Sequence, residues 1–323
     1  MLGRASRSLF HLLARSTPLK RLASRVGMRS PNGFARRFIA GETVEEAIAA
    51  ARPFEGRGFL LTLDLLGERV TSRERADQAT RQYLTLLDAM IAASIERDVS
   101  LKLTQIGLDV DPASAIDNVR RILERAEPAG FFVRIDMESS VYTEATLEIF
   151  ETLWHHGYRG IGIVLQAALR RSESDLQRIN ALGARIRLVK GAYHEPKTVA
   201  YQRRDEIDAA YARLVKALLA QGRYPAIATH DPAMIELAQQ CARDHHRAPT
   251  EFEFQMFYGM RRDLQTALTA AGYRVRVYIP FGREWFPYFM RRLGERPANI
   301  GFVVRAILAE SRSAAEKPRI TAQ

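Results

Sequence analysis

The sequence predicts a (β/α)₈ barrel, a parallel eight-stranded sheet that closes on itself inside a ring of helices. Eight short apolar or alternating runs of strand length recur between residues 59 and 279, and a helical segment follows each of them. A domain of this kind usually takes roughly 250 residues, which the chain provides. A doubly wound sheet is the alternative, but no GxGxxG sequence follows any of the runs.

The predicted strands are enriched in β-branched and aromatic residues and cover residues 59–64, 101–104, 131–136, 161–166, 186–190, 226–230, 252–256 and 275–279. Local signals also mark the helices between them. Helix starts are predicted at a Thr71/Glu74 capping box, at Asp111-Pro112 and at Asp231-Pro232. Helix ends are predicted at Gly157, Gly183, Gly222 and Gly272.

Charge is concentrated before the barrel, in a predicted basic helical arm of residues 1–57. Residues 1–41 contain nine Lys and Arg and no acidic residue, which leaves only +2 of the net charge of +11 for the remainder. A nearly neutral barrel does not favour nucleic-acid binding. The arm is typical of a mitochondrial transit peptide, of a segment lying on an anionic membrane, or of one wrapping the domain. The catalytic barrel is predicted for residues 58–311 and a disordered tail for 312–323.

Composition excludes several other classes of protein. No apolar run approaches the roughly 18 residues that a membrane span requires. Cys241 is the only cysteine, so the chain has no internal disulfide and no cysteine-rich zinc site. We expect Cys241 to fill the apolar side of a helix. No metal site is predicted, because the pairs His155-His156 and His245-His246 lie near helix ends.

Polar side chains stand at the ends of the predicted strands, where barrel enzymes have their active sites. They are Asp64, Lys102, Asp136, Gln166, Lys190, His230, Gln255 and Tyr278, with Arg187 inside the fifth strand. Lys102 and Asp136 would form a buried ion pair between neighbouring strands. The many donors, which include Thr229 and the Gly191-Ala192 backbone, suit an anionic or heteroaromatic cofactor.

The pair Arg291-Arg292 follows an aromatic-rich turn after the eighth strand. Two guanidiniums could bind a small carboxylate with paired hydrogen bonds. The alternative is a solvated pair that complements a helix dipole. The predicted last helix would fold over the barrel mouth, which favours the carboxylate clamp.

Five motifs resemble the proline dehydrogenase family: RIDMESS (134–140), RLVKGAYHE (187–195), ATHD (228–231), EFQMFYGM (253–260) and RVYIPFGREWFPYFMRRLGERPAN (276–299). The resemblance covers residues 59–302. It implies a distorted (β/α)₈ barrel that holds FAD non-covalently and oxidises L-proline to Δ1-pyrroline-5-carboxylate. Hydride would pass from proline C5 to flavin N5, and a membrane quinone would reoxidise the flavin.

The resemblance also implies roles for individual residues. Arg291 and Arg292 would pair with the proline carboxylate, and Glu68 would gate the site by pairing with Arg291. Tyr278 would pack on the proline ring and leave little room for a ring hydroxyl. The remaining implied roles are Lys102 in substrate binding, Asp136 and Arg187 in catalysis, and FAD binding by Met137, Gln166, Arg187, Lys190, Gly191, Ala192, Thr229 and His230.

Some features depart from the family pattern or leave alternatives open. His194 stands where bifunctional relatives have tryptophan, which puts a stacking role in doubt. The length resembles monofunctional bacterial forms, whose product passes to a separate pyrroline-5-carboxylate dehydrogenase. We expect a cytoplasmic protein with possible peripheral contact at the inner face of the membrane. The rivals are a flavin dehydrogenase for hydroxyproline and an inactive membrane-binding or regulatory barrel.

Overall fold

A computed structural model describes Met28 and residues 33–295 of the chain. Most of the predicted basic arm and the whole predicted tail lie outside these residues. In the described part, eight parallel strands close into a barrel in chain order, and β1 pairs with both β2 and β8. The predicted (β/α)₈ architecture is therefore confirmed.

The strands are β1 Leu60–Leu65, β2 Asp98–Leu101, β3 Phe132–Ile135, β4 Ile161–Gln166, β5 Arg185–Val189, β6 Ala226–Ala228, β7 Glu253–Phe257 and β8 Arg274–Phe281. The prediction for β2 was wrong by three residues. Ser100 and Leu101 pair with β3, and beyond Leu101 the chain turns, with the Gln105 amide donating to the Lys102 carbonyl at 3.1 Å. Pairing with β3 thus outweighed the more strand-like pattern of residues 101–104.

In the described residues the α-helices are α1 Val44–Glu55, α2 Arg73–Ala93, α3 Pro112–Ala126, α4 Thr143–His155, α5 Ser172–Ala181, α6 Arg204–Gln221, α7 Pro232–Asp244, α8 Arg262–Ala270 and α9 Trp285–Glu295. The predicted Thr71 capping box is wrong, because Ser72 caps α2 and accepts from the Arg75 amide. Asp111 and Asp231 cap α3 and α7 as predicted. Cys241 is buried on α7, as expected.

Strand residues alternate between an apolar layer under the helices and a polar barrel interior. Leu61 and Leu63 belong to the hydrophobic core, whereas Thr62 Oγ1 lies 3.5 Å from Ser100 Oγ on the neighbouring strand β2. Most barrels of this class fill the interior with branched aliphatic side chains. Here charged and hydroxyl groups occupy much of it, so hydrogen bonds and ion pairs connect the strands from inside.

Helix α9 lies at the carboxyl ends of the strands, as predicted, and the segment 33–42 packs against it. Phe38 and Ile39 share an apolar cluster with aromatic residues of α9. Trp285 Nε1 donates to Glu42 Oε1 at 2.9 Å. Gly259, at φ 74°, approaches this segment so closely that a Cβ atom there would lie 1.6 Å from the Arg37 carbonyl oxygen. Among the described helices, none is long and apolar enough to cross a membrane.

Candidate active site

A buried lysine joins two carboxylates at the carboxyl end of the barrel. Lys102 Nζ lies 3.3 Å from both carboxylate oxygens of Asp64 and 3.2 Å from Asp136 Oδ2. The contact with Asp136 confirms the expected ion pair. Asp64, at the end of β1, is fully buried and makes the pair a triad.

The charges of this triad depend on one another. Burial disfavours a charged lysine, but Asp64 and Asp136 outweigh burial and raise the pKa of Lys102 well above its ordinary value. Burial raises the pKa of Asp64, and Lys102 offsets this only in part. Burial also acts on Asp136, yet Lys102 and Arg187 hold its pKa below the ordinary value. Lys102 and Asp136 therefore remain charged at neutral pH.

Arg187 extends the triad across the barrel. Its Nη1 lies 2.8 Å from Asp136 Oδ1, and its Nη2 donates to Ser100 Oγ at 3.0 Å. The Tyr278 hydroxyl donates to Asp136 Oδ2 at 2.8 Å, and the Arg187 guanidinium lies 5.2 Å from the Tyr278 ring centroid. One carboxylate thus fixes an arginine, a lysine and a phenol. Strand spacing alone does not reveal the part played by Ser100.

The two arginines of α9 have different surroundings. Arg291 Nη1 lies 2.8 Å from Glu68 Oε1, and both side chains are mostly buried. Burial would raise the pKa of Glu68, but Arg291 holds it below the ordinary value. The Arg292 guanidinium lies over the Phe257 ring at 4.4 Å and near the Tyr288 ring at 5.3 Å. The solvated-pair alternative is therefore wrong for this helix.

Tyr193 lies in the β5–α6 loop, and burial raises the pKa of its phenol. The positive charges of Arg291 and Lys102 act in the opposite direction. His194, the next residue, is exposed.

The predicted cofactor residues line the ends of β4, β5 and β6. Gln166 Nε2 donates to the Glu138 carbonyl at 2.7 Å, which directs the side chain across the end of β4. Gly191 has φ 110°, and a Cβ atom there would lie 3.2 Å from Gln166 Oε1. A side chain at residue 191 would crowd Gln166, and the positive φ also favours glycine.

A planar polar ligand fits this donor set. Arg187 Nε is a buried donor without an acceptor among the described residues. His230 stacks on the Phe257 ring with centroids 5.4 Å apart, and its Nε2 accepts from the Phe257 amide at 3.0 Å. Met137 and Thr229 are buried just beyond the carboxyl ends of β3 and β6. These features agree with the predicted anionic or heteroaromatic cofactor.

Lys190 is more constrained than its predicted role in cofactor binding suggests. Its Nζ lies 2.5 Å from Asp208 Oδ1 and 2.8 Å from Asp231 Oδ2. Two carboxylates already balance its charge, so Lys190 offers hydrogen bonds rather than net positive charge to a ligand. Ala192 follows in the same loop and is half-buried.

One predicted member of the site lies elsewhere. Gln255 donates to Glu253 Oε1 and belongs to a lower layer of the interior, where Arg276 Nε lies 2.8 Å from Glu253. Gln255 sits within β7 rather than at its end, and side chains two residues apart share one face. The prediction for this residue was therefore wrong.

Known proteins resemble this chain over most of its length. The family model described as "Proline dehydrogenase" matches residues 47–305. "Proline dehydrogenase 2" of Bacillus subtilis is 38% identical over 302 residues, which cover 94% of this chain and 98% of the relative. "Proline dehydrogenase" of Deinococcus radiodurans is 43% identical over 278 residues, 85% of this chain and 90% of the relative.

A solved structure also resembles the chain over the barrel. It is proline utilization A (PutA) from Bdellovibrio bacteriovorus, inactivated by N-propargylglycine. The TM-score is 0.76 at 28% identity, and the match covers 81% of this chain. The matched region is only 32% of that protein, so the likeness concerns one part of a longer chain.

Proposed function

The chain belongs to the proline dehydrogenase family, and we propose that it oxidises L-proline to Δ1-pyrroline-5-carboxylate using non-covalently bound FAD. It is an oxidoreductase of proline catabolism, and the family is in general flavin-dependent. One observation supports the detailed proposal most strongly. The arginine pair of α9 lies at the same end of the barrel as the buried Lys102–Asp136–Arg187 network.

We assign Arg291 and Arg292 to the carboxylate of proline. Arg291 uses one nitrogen for Glu68, which leaves other N–H groups of its planar fork for a substrate carboxylate. Arg292 is held over two aromatic rings, so little side-chain entropy is lost when a ligand binds. Glu68 then acts as the gate residue that holds α9 over the site.

Asp136 serves as an organising group rather than a proton donor in this proposal. Its depressed pKa keeps it ionised, and it accepts hydrogen bonds from Lys102, Arg187 and Tyr278. Arg187 is thereby held as a fixed positive charge. A fixed cation beside the electron-accepting ring system stabilises negative charge that develops there.

FAD supplies the hydride acceptor, because a flavin N5 can take hydride from the proline C5 carbon beside the nitrogen. Arg187, Gln166, Lys190 and His230 are the side chains that we assign to holding it. Met137, Thr229, Gly191 and Ala192 complete the assigned set. The close approach of the Gly191 backbone to Gln166 and the unsatisfied Arg187 Nε support this assignment.

The direct test is anaerobic bleaching of the flavin by proline. Purified protein supplied with FAD should retain a yellow flavin, and L-proline should abolish its absorption near 450 nm, the usual flavin band. Loss of the band on proline addition supports both cofactor and substrate. Protein that binds no flavin, or flavin that proline leaves oxidised, overturns the proposal.

Hydroxyproline dehydrogenation is the second candidate. The Tyr278 hydroxyl is fixed on Asp136, so the ring cannot move aside without breaking that hydrogen bond. A substrate ring with an added hydroxyl would meet this phenol. Turnover of L-proline should therefore exceed turnover of trans-4-hydroxy-L-proline, and the reverse order would favour the second candidate.

We further propose that a quinone accepts the electrons and that a separate pyrroline-5-carboxylate dehydrogenase takes the product. The proposed location is cytoplasmic, with peripheral membrane contact through the basic arm. Nine positive side chains and no acidic ones in residues 1–41 support attraction to anionic lipid. Co-sedimentation with anionic and neutral vesicles tests this contact, and equal binding to both would contradict it.

A further inference from the structure

A cavity of about 550 Å³ opens at the amino ends of the strands, at the opposite end of the barrel from the arginines of α9. Its walls come from the starts of β1, β5 and β8 and from the loops before β2, β6 and β7. Five arginines and two glutamates line it: Arg185, Arg223, Arg247, Arg274, Arg276, Glu96 and Glu251. None of these residues takes part in the proposed active site.

The positive charge of this cavity is not balanced by its own carboxylates. Glu96 is already bound to Arg276 at 3.1 Å, and Glu251 accepts from the Ala248 amide at 2.6 Å. Arg276 is also paired with the buried Glu253 and Asp98, so its own charge is balanced. Within the part of the chain that the structure describes, no carboxylate forms an ion pair with the other four arginines. They are Arg185, Arg223, Arg247 and Arg274.

Several of these guanidiniums are held in place by neutral groups. Arg185 lies between the rings of Phe132 and Tyr224, at 4.9 Å and 4.8 Å from the two centroids. Arg274 donates to the Tyr224 hydroxyl at 3.2 Å. Arg247 Nη2 donates to the Gly222 carbonyl at 2.7 Å. Aromatic faces and carbonyls orient these arginines but leave their charge uncompensated.

Like charges gathered in one concave site raise the local concentration of anions. An arginine fork matches the oxygens of a phosphate group with two parallel hydrogen bonds. The volume is ample for one phosphate or pyrophosphate group with its water.

We propose that this cavity is a binding site for a compact polyanion of the phosphate class. Arg223 and Arg274 provide charge at the exposed rim, and Arg185 provides it at the wall. Because the site lies at the end of the barrel that usually governs stability, the bound anion stabilises the fold rather than taking part in proline oxidation. The proposal does not depend on the flavin or on the substrate.

The test measures thermal unfolding of the full-length, FAD-saturated protein with pyrophosphate as the probe. Sodium chloride at equal ionic strength provides the baseline, since it screens charge without filling the site. We expect pyrophosphate well above its Kd to raise Tm by about 5 °C relative to chloride. The variant Arg223→Gln/Arg274→Gln should lose most of this gain, and titration calorimetry should show at least a tenfold higher Kd.

Arg75→Gln/Arg81→Gln is the matched control, because it removes the same charge from exposed positions on α2. It should keep the full gain in Tm. The single variant Arg223→Gln, exposed and without an ion-pair partner among the described residues, should lose part of the gain without affecting folding. Two results would overturn the proposal: no gain over chloride in the unmodified protein, or a gain that the Arg223→Gln/Arg274→Gln variant retains.

Discussion

Arg291 and Glu68 form a mostly buried ion pair, with Nη1 and Oε1 2.8 Å apart, between helix α9 and the loop after β1. This contact connects the first and last units of the barrel at its mouth. It also places the proposed substrate arginine under the control of a residue far away in sequence. In the proposed mechanism, closure of the site and binding of the substrate carboxylate would therefore depend on the same side chain.

Glu68→Gln should raise KM for proline about tenfold, because α9 loses the charge that holds it over the site. Steady-state kinetics with a soluble dye acceptor measures this. Glu74→Gln, at an exposed position on α2, is the control and should leave KM unchanged. An unaltered KM in Glu68→Gln would show that the pair does not govern substrate binding.

The same pair predicts a pH effect. Arg291 holds the pKa of Glu68 below its ordinary value although burial acts in the opposite direction. A depressed pKa means that the contact contributes fully above the ordinary glutamate range and is lost as pH falls through the lower, folded value. KM for proline should consequently rise at acid pH in the unmodified protein, and Glu68→Gln should remove this part of the rise.

Ser100→Ala should lower kcat by roughly tenfold with little change in KM for proline, because Arg187 loses one of its two described hydrogen-bond partners. The reduction potential of the bound flavin should also fall, since the nearby cation is less well placed. Thr62→Val is the control: Thr62 Oγ1 lies 3.5 Å from Ser100, but Thr62 does not contact Arg187. An equal loss in both variants would point to packing instead of positioning.

Ser100 illustrates what sequence patterns could and could not predict. The charged residues Lys102, Asp136 and Arg187 stood out because they interrupt apolar runs, and the structure brings all three together. Ser100 lay outside the predicted second strand, since Asp98–Leu101 is short and carries no continuous apolar run. Its place in the sheet is decided by pairing with β3, which no local pattern expresses.

The position of the arginine pair of α9 at the barrel mouth was predicted for a similar reason. Polar residues at the carboxyl ends of barrel strands meet at one mouth. A correct prediction of the fold class therefore also predicts which of them lie close together. Asp64 was recognised only as a strand end, because its partner Lys102 approaches from the next unit of the barrel. Gln255 was misassigned because its hydrogen bond points down the strand, which spacing does not show.

Glu253→Gln should lower the free energy of unfolding at neutral pH by about 3 kcal/mol. Although burial opposes it, the paired Arg276 holds the pKa of Glu253 at about 2, below the ordinary value of 4.5. Stability from this pair is therefore complete above pH 4.5 and lost as pH falls toward 2. Urea unfolding between pH 7 and pH 3 should show a flatter pH dependence in the variant.

The control for Glu253→Gln is Glu173→Gln, whose pair with Arg213 is half exposed on both sides. Its cost should stay below roughly 1 kcal/mol. Equal costs for the two variants would contradict a special contribution from the buried pair.

Removal of residues 1–27 should spare turnover with a soluble acceptor, whereas removal of residues 1–41 should destabilise α9 and impair it. The longer deletion takes away Phe38 and Ile39, which pack against α9, and the Gly41 carbonyl that accepts from the Gly282 amide at 2.9 Å. Thermal unfolding and dye-coupled turnover of both truncated proteins measure the difference. Equal behaviour of the two would show that residues 28–41 are dispensable.

The polar interior of the barrel also restricts the register in which its strands can pair during folding. Neighbouring residues such as Leu188 and Arg187 face opposite sides of β5, so a slip of one residue would exchange them. In a barrel with an aliphatic interior, such a slip would replace one apolar side chain by another. Here it would place an unpaired guanidinium in the apolar layer, which costs far more. The ion pairs inside the barrel thus also disfavour misaligned strands during folding.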